Sequence, residues 1–257
     1  MTQYILLIAS IVSLSIGSIY ANLPYQFDNV GINNTIGAKI NAPLIFTDEF
    51  NKEVDLNDIV SEKPSIINFV YLNCPLLCNL LLDGLTNVIE ESQYTIQNDY
   101  QVITISIDPE ESNQNLKQYK ELYQTKTKSG DNWLFLKGTK ESIQTITNLF
   151  GYKYKYIKRT NDYAHASVLY FYNGKLTNYL EGVSYLKNQF DYSIMQTKTT
   201  QTIKEKIITF CYYFDPDNQT YSFYIFNLMR VACLLTVLII GIFILKIYMK
   251  ERTHGHH

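Results

Sequence analysis

Residues 65–92 read SIINFVYLNCPLLCNLLLDGLTNVIEES. The first eight, Ser65 to Leu72, form an unbroken apolar run of strand length, the pattern of a strand covered on both faces. Beyond Cys74 the pattern changes, because LLCNLLLDGLTNVIEES is apolar at helical spacing. YQVITISID, residues 100–108, is then a second buried strand. Strand, helix and strand in that order make a β-α-β unit.

Working outward, SNQNLKQYKELYQ (residues 112–124) is a polar helical stretch, and NWLFLKG (residues 132–138) is a short strand. KESIQTITNLFG (residues 140–151) puts Ile143, Ile146, Thr147 and Phe150 on one helical face, with Gly151 as the C-terminal cap. SVLYFY and KLTNYLEG flank Asn173-Gly174, a pair that supplies the positive φ angles of a type I′ hairpin turn. On the N-terminal side, PLIFTDEFNKEVDLND (residues 43–58) has two strand-like pieces around Asp48 to Lys52, a second small hairpin. The sum is an α/β domain over residues 36–192 of thioredoxin-like type: a central mixed sheet flanked by helices, with an N-terminal hairpin extension. Residues 22–35 read as an extended lead-in.

The chain has 257 residues, with 22 Lys+Arg against 24 Asp+Glu and a formal net charge of -2. Nucleic-acid binding draws on a dense basic patch; here the lysines are scattered among acids, so that class is set aside. The charged share is 18%, below the soluble average of roughly 25%, and the diluting apolar residues lie at the two ends. Tyr4 to Ala21, YILLIASIVSLSIGSIYA, resembles a signal peptide or an uncleaved anchor over residues 1–21. Ile225 to Leu245, apolar apart from Asn227 and Arg230, approaches the roughly 20 residues that a bilayer core requires. Residues 223–247 are therefore expected to form one transmembrane helix, after a juxtamembrane linker over 193–222. Lys246, Lys250 and Arg252 follow the helix, so the positive-inside rule puts the tail, 248–257, in the cytoplasm. The central domain then faces the periplasm of a bacterial inner membrane.

Cys74 and Cys78 lie where the first buried strand gives way to a helix, at the carboxyl edge of the sheet where α/β folds place their sites. A spacing of four brings two sulfurs to one face over one helical turn. They can chelate one ion or, with local adjustment, form a disulfide. The helix N-terminus favours the thiolate. His165 is the only histidine outside the tail. Two thiolates and one imidazole make a soft, low-coordinate set that suits Cu(I), and Cu(II) with a further ligand; structural zinc normally takes four protein ligands. Cys211 precedes the membrane segment and Cys233 lies within it, so these are not expected to pair. His254, His256 and His257 read as a solvated end.

With NFVYLNCPLLCN, ITISIDPEES and His165 opening the late hairpin, the chain resembles the Sco/SenC family of copper-binding, thioredoxin-like proteins that help assemble cytochrome c oxidase. YAHAS, YLEGVSY and FCYYFDPDNQTYS are similar to a bacterial branch with a C-terminal membrane helix. The resemblance implies copper bound by Cys74, Cys78 and His165, and the same thiols cycling through a disulfide. It implies as partners an oxidase subunit carrying the CuA site and a copper donor or thiol reductant. Many relatives have an acid between the cysteines and another before the histidine, where this chain has Leu76, Leu77 and Ala164. That removes negative charge, which Asp162 would restore only if its side chain faces the site, and the sequence does not give its direction. A thiol-disulfide oxidoreductase using Cys74 and Cys78 is the alternative function. A structural oxidase subunit and a peroxidase fit less well.

Overall fold

Six consecutive buried residues make up β4 (Ser65–Val70), and six more make up β5 (Gln101–Ser106), which runs parallel to it. Strands buried on both faces sit at the centre of an α/β sheet. The computed structural model describes residues 30–73, 77–96, 98–127, 132–198, 201–206, 212–215, 220–223 and 225–254. Residues 1–21, Cys74 and Cys211 lie outside them.

Before β4 come β1 (Gly31–Ile32), the β2–β3 hairpin (Ile45–Thr47 and Glu53–Asp55) and α1 (Leu56–Glu62). The hairpin is the expected one. Asn51 takes the left-handed conformation in its turn, and Asp55 caps α1 by accepting from the Asn57 N–H. After β4, α2 (Leu77–Glu91) leads to β5, and α3 (Asn113–Thr127) leads to β6 (Trp133–Leu136), parallel to β5. Then α4 (Lys140–Leu149) runs into Gly151, whose φ of 66° makes it the helix stop that the sequence predicts. β10 (Val168–Tyr172) crosses to the other side of β4 and pairs antiparallel with both β4 and β11 (Leu176–Glu181). The order β11-β10-β4-β5-β6 is the mixed thioredoxin-like sheet. α5 (Lys187–Thr197) packs back on β10 and β11, and Ile194, Met195 and Thr197 in its last turn are buried.

Each face of the sheet carries an aromatic layer. Phe69 of β4 and Tyr170 of β10 meet Phe150 and Tyr152 on one face, while Trp133, Phe135 and Phe171 meet Tyr123 of α3 and Phe190 of α5 on the other. Burial of such rings is the main favourable term, since each removes on the order of 150–250 Å² from water. α2 comes close to the chain after β11 through Gly84: a Cβ there would lie 1.9 Å from the Val183 carbonyl oxygen.

The late hairpin forms, but its turn is not type I′. That turn needs positive φ at both central residues; Gly174 has it (64°) and Asn173 does not. Asn173 instead donates through Nδ2 to the Thr197 carbonyl at the end of α5, and the register shifts between Phe171 and Tyr172. A tertiary hydrogen bond outweighs the local turn preference.

Between α4 and β10 the chain forms β7 (Tyr152–Lys153), which pairs with β1, and a hairpin of β8 (Lys155–Ile157) and β9 (Asp162–Ala164). Past α5, β12 (Tyr212–Asp215) and β13 (Thr220–Phe223) form an antiparallel pair before α6 (Ile225–His254). Within α6, Met229–Lys246 is long and apolar enough to cross a membrane, and none of it is buried against protein.

Candidate metal centre

β4 ends at Val70, and Tyr71, Leu72 and Asn73 lead to the position of Cys74. Cys78 is the second residue of α2, so its backbone lies in the first turn of that helix. Cys74 lies outside the described residues. Among those residues, no group of three or more His, Cys, Asp or Glu side chains is gathered closely enough to hold a metal.

The antiparallel pairing of β10 with β4 carries the chain toward this edge. β10 pairs with β4 from Tyr172 opposite Ser65 to Leu169 opposite Asn68, and His165 lies four residues before Leu169, on the side toward the carboxyl end of β4. An aromatic contact reinforces the placement. Tyr163 on β9 packs edge to face on Tyr71 at 5.1 Å and also meets Tyr154 and Tyr156. The β8–β9 hairpin is thereby fastened to the end of β4, and His165 follows it directly.

The chemistry of the ring suits a soft metal. His165 Nδ1 lies 3.0 Å from the Ala166 carbonyl. A carbonyl only accepts, so Nδ1 carries the proton, and in the neutral ring Nε2 bears the lone pair. The Tyr152 hydroxyl donates to the same carbonyl at 2.8 Å, using its second acceptor site. A ligating histidine commonly donates its other nitrogen in this way, which fixes tautomer and orientation. Burial lowers the His165 pKa, against the opposing effects of the Ala166 bond and the charge of Asp162. The neutral form, the one that binds metals, is favoured.

Asp162 sits on β9, accepts from the Tyr163 N–H and acts electrostatically on both His165 and Tyr71. The acid missing at position 164 is thus partly replaced from two residues further back. Burial, then the charge of Asp108, raises the Tyr163 pKa to about 12, so this phenol stays neutral. Sequence reasoning did not single out Tyr152, Tyr154, Tyr156 and Tyr163. The signal was present, since Tyr152-Lys153-Tyr154-Lys155-Tyr156 alternates with the period of a strand. Cys233 is an exposed thiol on α6, far along the chain from this edge.

The SCO1/SenC family model matches residues 33–207. No curated protein matches the sequence. Among solved structures, the chain is similar to a protein from Aquifex aeolicus VF5, with 20% identity and a TM-score of 0.57 over 66% of this chain and 98% of that one. It is similar to BsSco, a member of the Sco family of cytochrome c oxidase assembly proteins in which a disulfide switch was identified (21% identity, TM-score 0.53, covering 66% and 99%). A third likeness is to Arabidopsis thaliana ScoI with copper bound (20% identity, TM-score 0.50, covering 63% and 99%). At these identities the structures establish a shared fold, and the family model, spanning more than half of the sequence, establishes kinship: the chain belongs to the SCO1/SenC family.

Proposed function

We propose that this protein is a membrane-tethered copper metallochaperone that binds copper through Cys74, Cys78 and His165 and delivers it to the CuA site of a cytochrome c oxidase subunit. The observation that carries the reading is the orientation of His165, whose Nδ1 is held by the Ala166 carbonyl so that Nε2 bears the lone pair, directly after the hairpin that Tyr163 fastens to Tyr71 past the end of β4. Copper is the cargo, and soft thiolates and one imidazole bind Cu(I) while allowing exchange to sulfur ligands on an acceptor. The copper-bound Arabidopsis relative on the same fold supports this choice of metal. α6 supplies the tether, with Lys246, Lys250 and Arg252 marking its cytoplasmic end, so the domain faces the periplasm.

The disulfide switch of BsSco favours one second reading, in which Cys74 and Cys78 reduce the thiols of the acceptor site and His165 only tunes them. Titration of the reduced, full-length protein in detergent with Cu(I) against a competing chelator tests both. One tight equivalent, lost in Cys74→Ala, Cys78→Ala and His165→Ala alike, is the expected result. Binding indifferent to His165 overturns the delivery reading and leaves the reductase.

A further inference from the structure

A cleft of about 710 Å³ opens between α4 and the chain that follows it. Gly151, at its positive φ, ends α4 and turns the chain, so that Tyr152 to Tyr156 form one wall. The helix supplies the other from Lys140, Gln144 and Asn148, which are four residues apart and share one exposed stripe. Pro109, just past the end of β5, and Tyr163 complete the lining. β4 and β5 run parallel with Val70 level with Ser106, so Pro109 lies at the same edge of the sheet as the chain from Tyr71 to Asn73. Two tyrosines join the cleft to that edge. The Tyr152 hydroxyl donates to the carbonyl that holds His165, and Tyr163 packs on Tyr71.

The lining is basic and aromatic. Lys140, Lys153 and Lys155 contribute three ammonium groups, no carboxylate lines the cleft, and among the described residues none of the three lysines is ion-paired. Asp108 acts electrostatically on Tyr163 and Tyr71 from outside the lining. Burial keeps Tyr154 and Tyr163 in the neutral form, so they offer hydroxyl donors and flat ring surface. Size and exposure select the class of occupant. The volume is in the range of sites that hold drug-sized ligands, more than a single inorganic anion fills. An enclosed site buries most of such a ligand; here Lys140, Lys153, Lys155 and Tyr156 are all exposed, as on a surface covered by a chain that continues past both ends. Tyrosine, apolar in the ring and polar at the tip, is a common anchor for such contacts.

We infer that this cleft docks an extended, acidic segment of a partner protein and so brings that partner to the edge of the sheet where His165 lies. The inference deepens the proposed function, on which the partner's role as copper acceptor rests; the docking itself needs no copper. Carboxylates of the segment meet the lysines on both walls, and its main-chain amides meet Gln144 and Asn148. Complementary charge of this kind speeds encounter and fixes register more than it adds affinity, which suits a partner that arrives, exchanges and leaves.

The test uses the full-length protein in non-ionic detergent and a rhodamine-labelled peptide of alternating Glu and Ser, about ten residues at roughly 3.3 Å each when extended, read by fluorescence anisotropy. The same peptide with Gln in place of Glu is the neutral comparison. Lys153→Gln with Lys155→Gln is expected to weaken binding of the Glu peptide about tenfold, and Lys140→Gln on the opposite wall about threefold. Lys158→Gln with Arg159→Gln removes the same charge from the neighbouring exposed turn, outside the lining, and should change binding less than about twofold. No measurable binding, equal binding of the Gln peptide, or equal loss in the two double variants overturns the docking cleft. Displacement by inorganic phosphate at concentrations below the peptide's Kd overturns it too, since the cleft is then a free-anion site. A wild-type protein without a tight Cu(I) site would defeat the proposed function alone, because peptide binding and its dependence on the lysines are measured without metal.

Discussion

α3 and α6 have reversed relations between composition and surroundings. α3, NQNLKQYKELYQTKT, is mostly polar, and only Leu116 and Tyr123 on it are buried; yet it packs on β6 and α2 and hydrogen-bonds the Leu72 carbonyl beyond the end of β4. α6 is the most apolar segment among the described helices, and its Met229–Lys246 stretch touches almost nothing of the protein. A helix is held in a soluble domain by a narrow stripe of well-packed residues, whereas a helix apolar all round requires an apolar solvent. Average polarity therefore says where a helix lives, and the few inward side chains say what it does.

The largest effect expected from this contrast falls on α3. Tyr123 is 1% exposed and lies against Trp133 and Phe135. Tyr123→Ala should lower domain stability by about 3–5 kcal/mol, read by denaturant unfolding in detergent, while Leu238→Ala on α6 should leave that transition unmoved. Equal effects at the two positions would erase the distinction between the helices.

A substitution on α6 should be felt by the membrane instead. Leu238→Asp places a carboxylate mid-helix and should weaken insertion by about 3 kcal/mol. The chain would then shift from the membrane pellet to the soluble fraction, with the unfolding transition of the domain unchanged. A protein that stays in the pellet would mean that α6 is not the sole tether.

The smallest effect lies at the seam between the two regions. Thr202 and Glu205 form a reciprocal capping box at the start of residues 203–206, and Glu205 also accepts from the Tyr94 hydroxyl and lies 3.7 Å from Lys198. Burial pushes the Glu205 carboxyl up, but the bonds from Thr202 and Tyr94 and the charge of Lys198 outweigh it and hold the pKa below the usual value. A carboxyl with a depressed folded pKa stabilises fully above its unfolded value, near 4.5, and loses that contribution as pH falls through the folded value. Glu205→Gln should therefore reduce stability by under about 1 kcal/mol at pH 7 and by less at pH 3. A difference that grows on acidification would refute the assignment.

The elements near the middle of the sheet were legible because they carry their own pattern: β4 and β5 are short segments rich in Ile, Val and Phe in which every residue is buried, and Ile143, Ile146, Thr147 and Phe150 are all buried as the spacing of α4 predicts. Asn173-Gly174 gave the hairpin but not its turn, because Thr197, 24 residues away, captures the Asn173 side chain. The hydrogen bonds of α3 to the chain after β4 were hidden for the same reason, the partners Asn73 and Leu72 lying 42 and 47 residues from Asn115 and Tyr119. His165 was found from its type and solitude, but its tautomer depends on the local backbone conformation that turns the carbonyl of the next residue, Ala166, toward Nδ1.

β10 follows β6 in the chain but is inserted on the far side of β4, so the histidine edge is completed late. Cys74 and Cys78 leave the ribosome before residue 165 does. A partly made chain is thus a pair of bare thiols, open to oxidants and to stray ions. On the proposed ligand set the site is complete only once β10 has docked, so copper binding would report finished folding.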